Sequence, residues 1–126
     1  EYARLAHAYN KLFWLHSCGN LALVIEYLID EVGIDAYHSF QDIIIPVSSF
    51  KEQYEKKTAA LGGVDMDALC RMPEKDLRMY IQGILHKCVP GGRYAFGSGN
   101  TIANYIPVDN YLIMLEEGRS FSDYLS

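Results

Sequence analysis

The chain reads as an α/β protein, and as about the last four βα units of a (β/α)8 barrel. Three observations predict this. Four short apolar segments alternate with four segments of helical periodicity, joined by short connections. The apolar segments carry hydrophobic residues on both faces, as buried parallel strands do. The polar residues of chemical interest fall at or just after the carboxyl ends of those segments, the edge on which barrel active sites are built.

Residues 1–11 read as the end of a helix and residues 12–18, with the run Leu12-Phe13-Trp14-Leu15, as the first strand. Asn20 is placed to cap a helix whose stripe is Leu21, Val24, Ile25, Leu28 and Val32, and Gly33 to end it. Ile34 to Phe40 is the second strand. Ser49 and Glu52 have capping-box spacing ahead of a helix with Phe50 and Tyr54 inward. Thr58 to Val64 is the third strand. Pro73 suits the first turn of the next helix, on which Leu77, Ile81, Ile84, Leu85 and Cys88 share a face until Pro90-Gly91-Gly92. Arg93 to Gly97 is the fourth strand. Pro107 opens a last helix carrying Val108, Tyr111, Leu112 and Leu115, with a stop at Gly118.

An open doubly wound sheet also fits this alternation. No Gly-x-Gly-x-x-Gly turn follows the first strand, which removes the simplest dinucleotide site, so the half barrel is preferred. A whole barrel takes roughly 250 residues; this chain has 126 and is read as a single domain over 1–126. The chain opens on Glu1 rather than Met, which suggests that it begins inside a longer protein. Half a barrel exposes edge strands and one side of its core, so expression as given predicts a homodimer or aggregation.

Bulk composition bounds the function. The net charge is −5 and the eleven Lys and Arg residues are scattered, which argues against nucleic acid as a partner. No apolar run approaches the roughly 20 residues of a membrane span. Three cysteines, an odd number, with no visible secretory signal fit reduced thiols and a cytoplasmic setting. Cys88 lies on an apolar stripe and reads as core.

The most informative stretch is His16-Ser17-Cys18-Gly19. Side chains alternate along a strand, so His16 and Cys18 point the same way, and an imidazole beside a thiol can hold zinc. The alternative is a core histidine bonded to a carbonyl beside a buried thiol. Asp65 reads either as a ligand-orienting carboxylate or as a helix cap. Asp35 and His38, at the second strand, could form a pair that supports the site, but their odd spacing puts them on opposite faces of a regular strand. Gly97 and Gly99, with Asn100 and the helix that follows, could cradle an anionic group or form a tight structural turn.

Four stretches then occur in order: His16-Ser17-Cys18-Gly19, Gly62-Gly63-Val64-Asp65-Met66, Phe96-Gly97-Ser98-Gly99-Asn100 and Ile106-Pro107-Val108-Asp109-Asn110. Together they resemble the carboxyl-terminal half of the uroporphyrinogen decarboxylase superfamily. The resemblance covers essentially the whole chain and implies that its strands are the fifth to eighth of a barrel. It is nearer to the branch of zinc methyltransferases that move methyl groups between corrinoid (cobalamin) proteins and acceptors. That branch uses His-x-Cys as zinc ligands, matched by His16 and Cys18, and a Cys where Ser98 stands here. The resemblance therefore implies zinc-dependent methyl transfer from a methylated corrinoid protein to a thiol resembling coenzyme M or to a tetrahydrofolate-like acceptor. Asp65 and Ser98 occupy its catalytic positions, and Gly97, Gly99 and Asn100 its substrate loop. Cys70, just beyond the third strand, could stand in as the third ligand. The isolated half is expected to be inactive; in the decarboxylase branch the catalytic Asp and the substrate-binding Arg residues come from the amino-terminal half.

Two further readings stand beside it. One is decarboxylation of a porphyrinogen in porphyrin biosynthesis, which needs no metal; that branch typically has a His at the position of Ser98, and His16-x-Cys18 speaks against it. The other is a non-catalytic module binding a corrinoid or tetrapyrrole, since loss of a third ligand is how a zinc site decays.

Overall fold

In the computed structural model, which describes residues 1–125, four strands form one parallel sheet: β1 Trp14–His16, β2 Ala36–His38, β3 Ala59–Leu61 and β4 Tyr94–Ala95. Their spatial order is β1-β2-β3-β4. Every connection therefore steps to the next neighbour in one direction. A doubly wound sheet reverses direction at a switch point; this one does not. The observed fold is an α/β arc with a singly wound parallel sheet.

Six helices accompany the strands among the described residues. They are α1 Tyr2–Ala8, α2 Ile25–Tyr27 running into a π-helical turn over Leu28–Val32, α3 Val47–Tyr54, α4 Met66–Arg71, α5 Glu74–Cys88 and α6 Val108–Leu125. α5 packs on both α3 and α6, and α3 packs on β3. Leu15, Tyr37, Ala60 and Tyr94 stand in one register row. Tyr37 packs edge-on to Phe40 and against Phe50 of α3. That row faces the helix layer, over a core in which Phe40, Phe50, Leu69, Leu77 and Ile81 are fully buried.

The other face of the sheet is less covered. Trp14 is 63% exposed there, and His16 and Ala95 are also exposed. The sequence predicts strands covered on both faces, and the structure covers one. A parallel sheet is normally buried on both sides, so this face lacks a layer within the described residues. Among them, no helix is long and apolar enough to cross a membrane.

Local expectations hold where one residue decides the backbone. Gly33 ends the π turn at φ +75°, in the left-handed region. Leu77, Ile81, Ile84, Leu85 and Cys88 are all buried on α5. Burial pushes the Cys88 thiol up to about 11, outweighing the opposing pull of nearby Lys51 and Lys87.

Four local expectations are corrected. The Ser49–Glu52 box does not cap α3, because the helix begins earlier, at Val47 behind Pro46. Asn20 makes a local turn, its Oδ1 accepting from the Ala22 N–H at 2.9 Å, and the helix starts only at Ile25. A short separate helix, α4, precedes Pro73. Finally, α6 runs through Gly118 instead of stopping there. A Cβ at 118 would sit 2.8 Å from the ring of Phe96, so the glycine admits that ring against the helix.

Candidate metal and thiol site

The register pairs His16 directly with His38 on the neighbouring strand. Both side chains emerge on the less covered face, at the carboxyl edge of the sheet. Their rings lie 4.8 Å apart, with Nδ1 of His16 2.7 Å from Nδ1 of His38. Nε2 of His16 points the opposite way, toward Sγ of Cys18 at 3.6 Å. Nε2 of His38 meets the backbone carbonyl of Ser98 at 3.1 Å. Asn100 donates from Nδ2 to Cys18 Sγ at 3.3 Å and to Ser39 Oγ at 3.1 Å. Its Oδ1 accepts from the Thr101 N–H, which sets the orientation of the amide. The Ser39 hydroxyl faces the same sulfur at 3.9 Å. The thiol thus sits between an imidazole nitrogen and two donors.

The structure brings His16, Cys18 and Asn100 together. Ser98 joins through its main chain; its hydroxyl turns away and donates to the Asn100 carbonyl at 2.7 Å. Cys70 does not join. It lies on α4, and its S–H points at the Tyr105 carbonyl at 3.7 Å. Among the described residues, no three His, Cys, Asp or Glu side chains converge as a metal-binding group. The set His16, Cys18 and Cys70 is therefore reduced to the His16–Cys18 pair, because α4 directs Cys70 elsewhere.

Asp65 is placed as a cap. Its Oδ1 accepts from the N–H groups of Asp67 and Ala68, and its Oδ2 from that of Asp42 at 2.8 Å. Both oxygens are engaged by backbone. Beside it, the Tyr80 hydroxyl donates to Asp42 at 2.7 Å and accepts from the Asp65 N–H at 3.1 Å. Burial raises the Asp42 carboxyl, the Tyr80 bond opposes this, and the Asp65 charge adds to it.

Gly97 and Gly99 are engaged in the fold. The Gly97 carbonyl accepts from the Val64 N–H, and the Gly99 N–H donates to the Val64 carbonyl at 2.6 Å. A Cβ at 99 would collide with the Phe40 carbonyl. The helix meant to complete an anion cradle, α6, begins at Val108, well beyond Asn100. The tight structural turn prevails because the N–H of Gly99 is already spent.

Asp35 lies apart, at the other end of β2. Its Oδ2 meets His7 Nε2 at 2.8 Å and the Phe13 N–H at 2.7 Å. Burial pushes this carboxyl up, but those two partners together hold it below its ordinary value. A lowered carboxyl stabilises the fold above its unfolded pKa and loses that contribution as pH falls through the folded one. Asp35→Asn is therefore expected to flatten the acid side of the stability–pH curve. Thermal unfolding at stepped pH from neutral into the carboxylate range checks this; an unchanged acid slope would contradict it.

Of the pair Asp35 and His38 only His38 joins the site, and Ser39 joins it without being singled out by the sequence. A signal exists: His16-Ser17 and His38-Ser39 repeat the same dipeptide at two consecutive strand ends. Next to the cluster is a cavity of about 90 Å3, bordered by Gly19, Leu21, Ile25, Tyr37, Ser39 and Ile45. Among the described residues, no Lys or Arg borders it.

No protein-family model matches the chain, and no curated protein matches it in sequence. Among solved structures it is similar to a methyltransferase from Methanosarcina mazei, with a TM-score of 0.73 and 18% identity. That likeness covers 98% of this chain. The chain spans about a third, 34%, of the methyltransferase chain. At this identity the match shows the fold.

Proposed function

We propose that the chain is the catalytic-edge half of a (β/α)8 barrel that transfers methyl groups from a methylated corrinoid protein to a thiol, with zinc held by His16 and Cys18. One observation carries the reading. Zinc lies roughly 2.0–2.1 Å from imidazole nitrogen and ~2.3 Å from thiolate, so a tetrahedral angle separates those ligands by about 3.6 Å. His16 Nε2 and Cys18 Sγ are 3.6 Å apart. Zinc, when bound, supplies a Lewis acid that favours the thiolate form of an incoming thiol, the better nucleophile toward a methyl carbon. The similarity in fold to a methyltransferase agrees with this chemistry.

The chain's own residues supply the setting. Asn100 and Ser39 direct donors at the Cys18 sulfur and fix its position. No Lys or Arg borders the cavity beside Ser39 among the described residues, so it offers no cation to an acceptor's anionic tail. Asp65 holds the start of α4 and the backbone at Asp42, and so positions the sheet edge rather than touching an acceptor. With Ser98 Oγ turned away and Cys70 remote, the remaining coordination falls to acceptor thiol or water.

The test is turnover. A whole-barrel protein that carries this chain together with an amino-terminal half is loaded with zinc and mixed with methylcobalamin and a simple thiol, and thioether is followed by mass spectrometry. Thioether above the protein-free rate, absent in His16→Ala, is the expected result. Zinc-loaded, folded protein that binds the corrinoid without forming thioether would favour the non-catalytic reading instead.

The exposed face carrying Trp14, with Leu12 68% exposed beside the free edge of β1, also needs a cover. The chain by itself is expected to pair with a second copy. Sedimentation velocity should show a dimer, and a monodisperse monomer would contradict this.

A further inference from the structure

We infer that His38 is a positioning residue for His16, fixing its ring orientation and its tautomer through their Nδ1–Nδ1 hydrogen bond. The functional meaning of this rests on the zinc reading above; the tautomer itself does not.

Protons along one chain of contacts can be counted. The Ser98 carbonyl has no proton to give, so His38 Nε2 must donate to it across 3.1 Å. A neutral imidazole that donates at Nε2 accepts at Nδ1. The contact between the two Nδ1 atoms, at 2.7 Å, holds one proton, and His38 has none left for it. His16 must supply that proton from Nδ1. Its Nε2 is then bare, and this is the nitrogen that faces Cys18 Sγ. A bare Nε2 is what a metal-ligating histidine presents, and a partner on its other nitrogen is how such a ring is held.

The fold reserves room for this relay. Gly62 lies at φ +86°, and a Cβ there would collide with the Ser98 carbonyl and stand 2.8 Å from Cδ2 and Nε2 of His38. The ring of His38 occupies space that only glycine leaves open, against the carbonyl that orients it. Register supplies the other half, by setting His16 directly across from His38.

Two measurements test the inference. In metal-free protein with 15N-labelled imidazoles, at a pH where both rings are neutral, long-range proton–nitrogen correlation should place the His16 proton on Nδ1 and the His38 proton on Nε2. A His16 proton on Nε2 would overturn the inference with no variant needed. Zinc affinity is then compared in two variants. His38→Asn keeps an acceptor close to the Nδ1 position and should stay within a few-fold of the parent. His38→Leu removes it and should weaken zinc by about 10–100-fold, the usual effect of losing such a partner. Equal losses in both variants would mark a merely structural role and also overturn it. If the parent shows the expected tautomers but binds no zinc, the zinc reading fails and the role of His38 stands.

Discussion

Cys18→Ser is expected to weaken zinc binding by about 100-fold and, in the whole barrel, to abolish thiol methylation. Structural zinc sites with four protein ligands carry about 10–16 kcal/mol, so one thiolate accounts for roughly 3 kcal/mol, which is about two decades in affinity. Serine has nearly the same shape, but its hydroxyl keeps its proton at neutral pH and makes a poor ligand. The fold should not notice the change. Cys18 is exposed, and surface substitutions of this kind usually fall within about ±0.5 kcal/mol. Competition against a chromophoric chelator gives the affinity and thermal unfolding gives the control. A variant that binds zinc as tightly as the parent would remove Cys18 from the site.

Gly62→Ala should damage fold and site together. At φ +86° an L-residue costs about 1–2 kcal/mol. The new Cβ also meets a backbone carbonyl, which cannot swing aside, and forced packing of this kind typically adds about 1–3 kcal/mol. A loss of roughly 2–5 kcal/mol is expected in urea unfolding, with His38 pushed off the Ser98 carbonyl. Gly83 supplies the contrast. It lies mid-helix in α5, and a methyl group added there would find nothing within 4 Å, so Gly83→Ala should stabilise by up to about 1 kcal/mol. The same chemical change should thus have opposite signs at the two positions; equal effects would contradict the crowding seen around Gly62.

Much of the fold is legible in the sequence because burial dictates it locally. The stripe on α5 had to be a buried helical face, and four apolar runs between helices had to be parallel strands. What escapes depends on contacts distant in sequence. Gly118 reads as a stop only if Phe96, lying against it, is ignored. The π turn over Leu28–Val32 has no distinctive residue pattern. Pro46, not Ser49, sets the start of α3, since a fixed φ so close to the helix outweighs a capping-box spacing.

The site divides in the same way. Strand alternation, a local property, predicts a shared face for His16 and Cys18; β1 is shorter than the expected 12–18 and ends at His16, yet the structure sets Cys18, just beyond it, beside His16. His38 needs the register between β1 and β2, which alternation within one strand does not contain. Its odd spacing from Asp35 correctly separates those two: one turns to the cluster and the other to His7. Asp65 shows the opposite outcome, since an Asp at a strand end just ahead of a helix has a structural use that takes up both its oxygens. Cys70 is near in sequence to the right edge, but the direction of α4 carries its thiol to Tyr105.

The central claim is that His16 and Cys18 hold zinc, and metal content tests it most directly. Protein purified without chelators is assayed by plasma mass spectrometry for zinc per chain, with circular dichroism confirming the fold. Close to one zinc per chain is predicted. Folded protein with no zinc, and none taken up on titration, would contradict the account and leave a metal-free or non-catalytic role for this sheet edge.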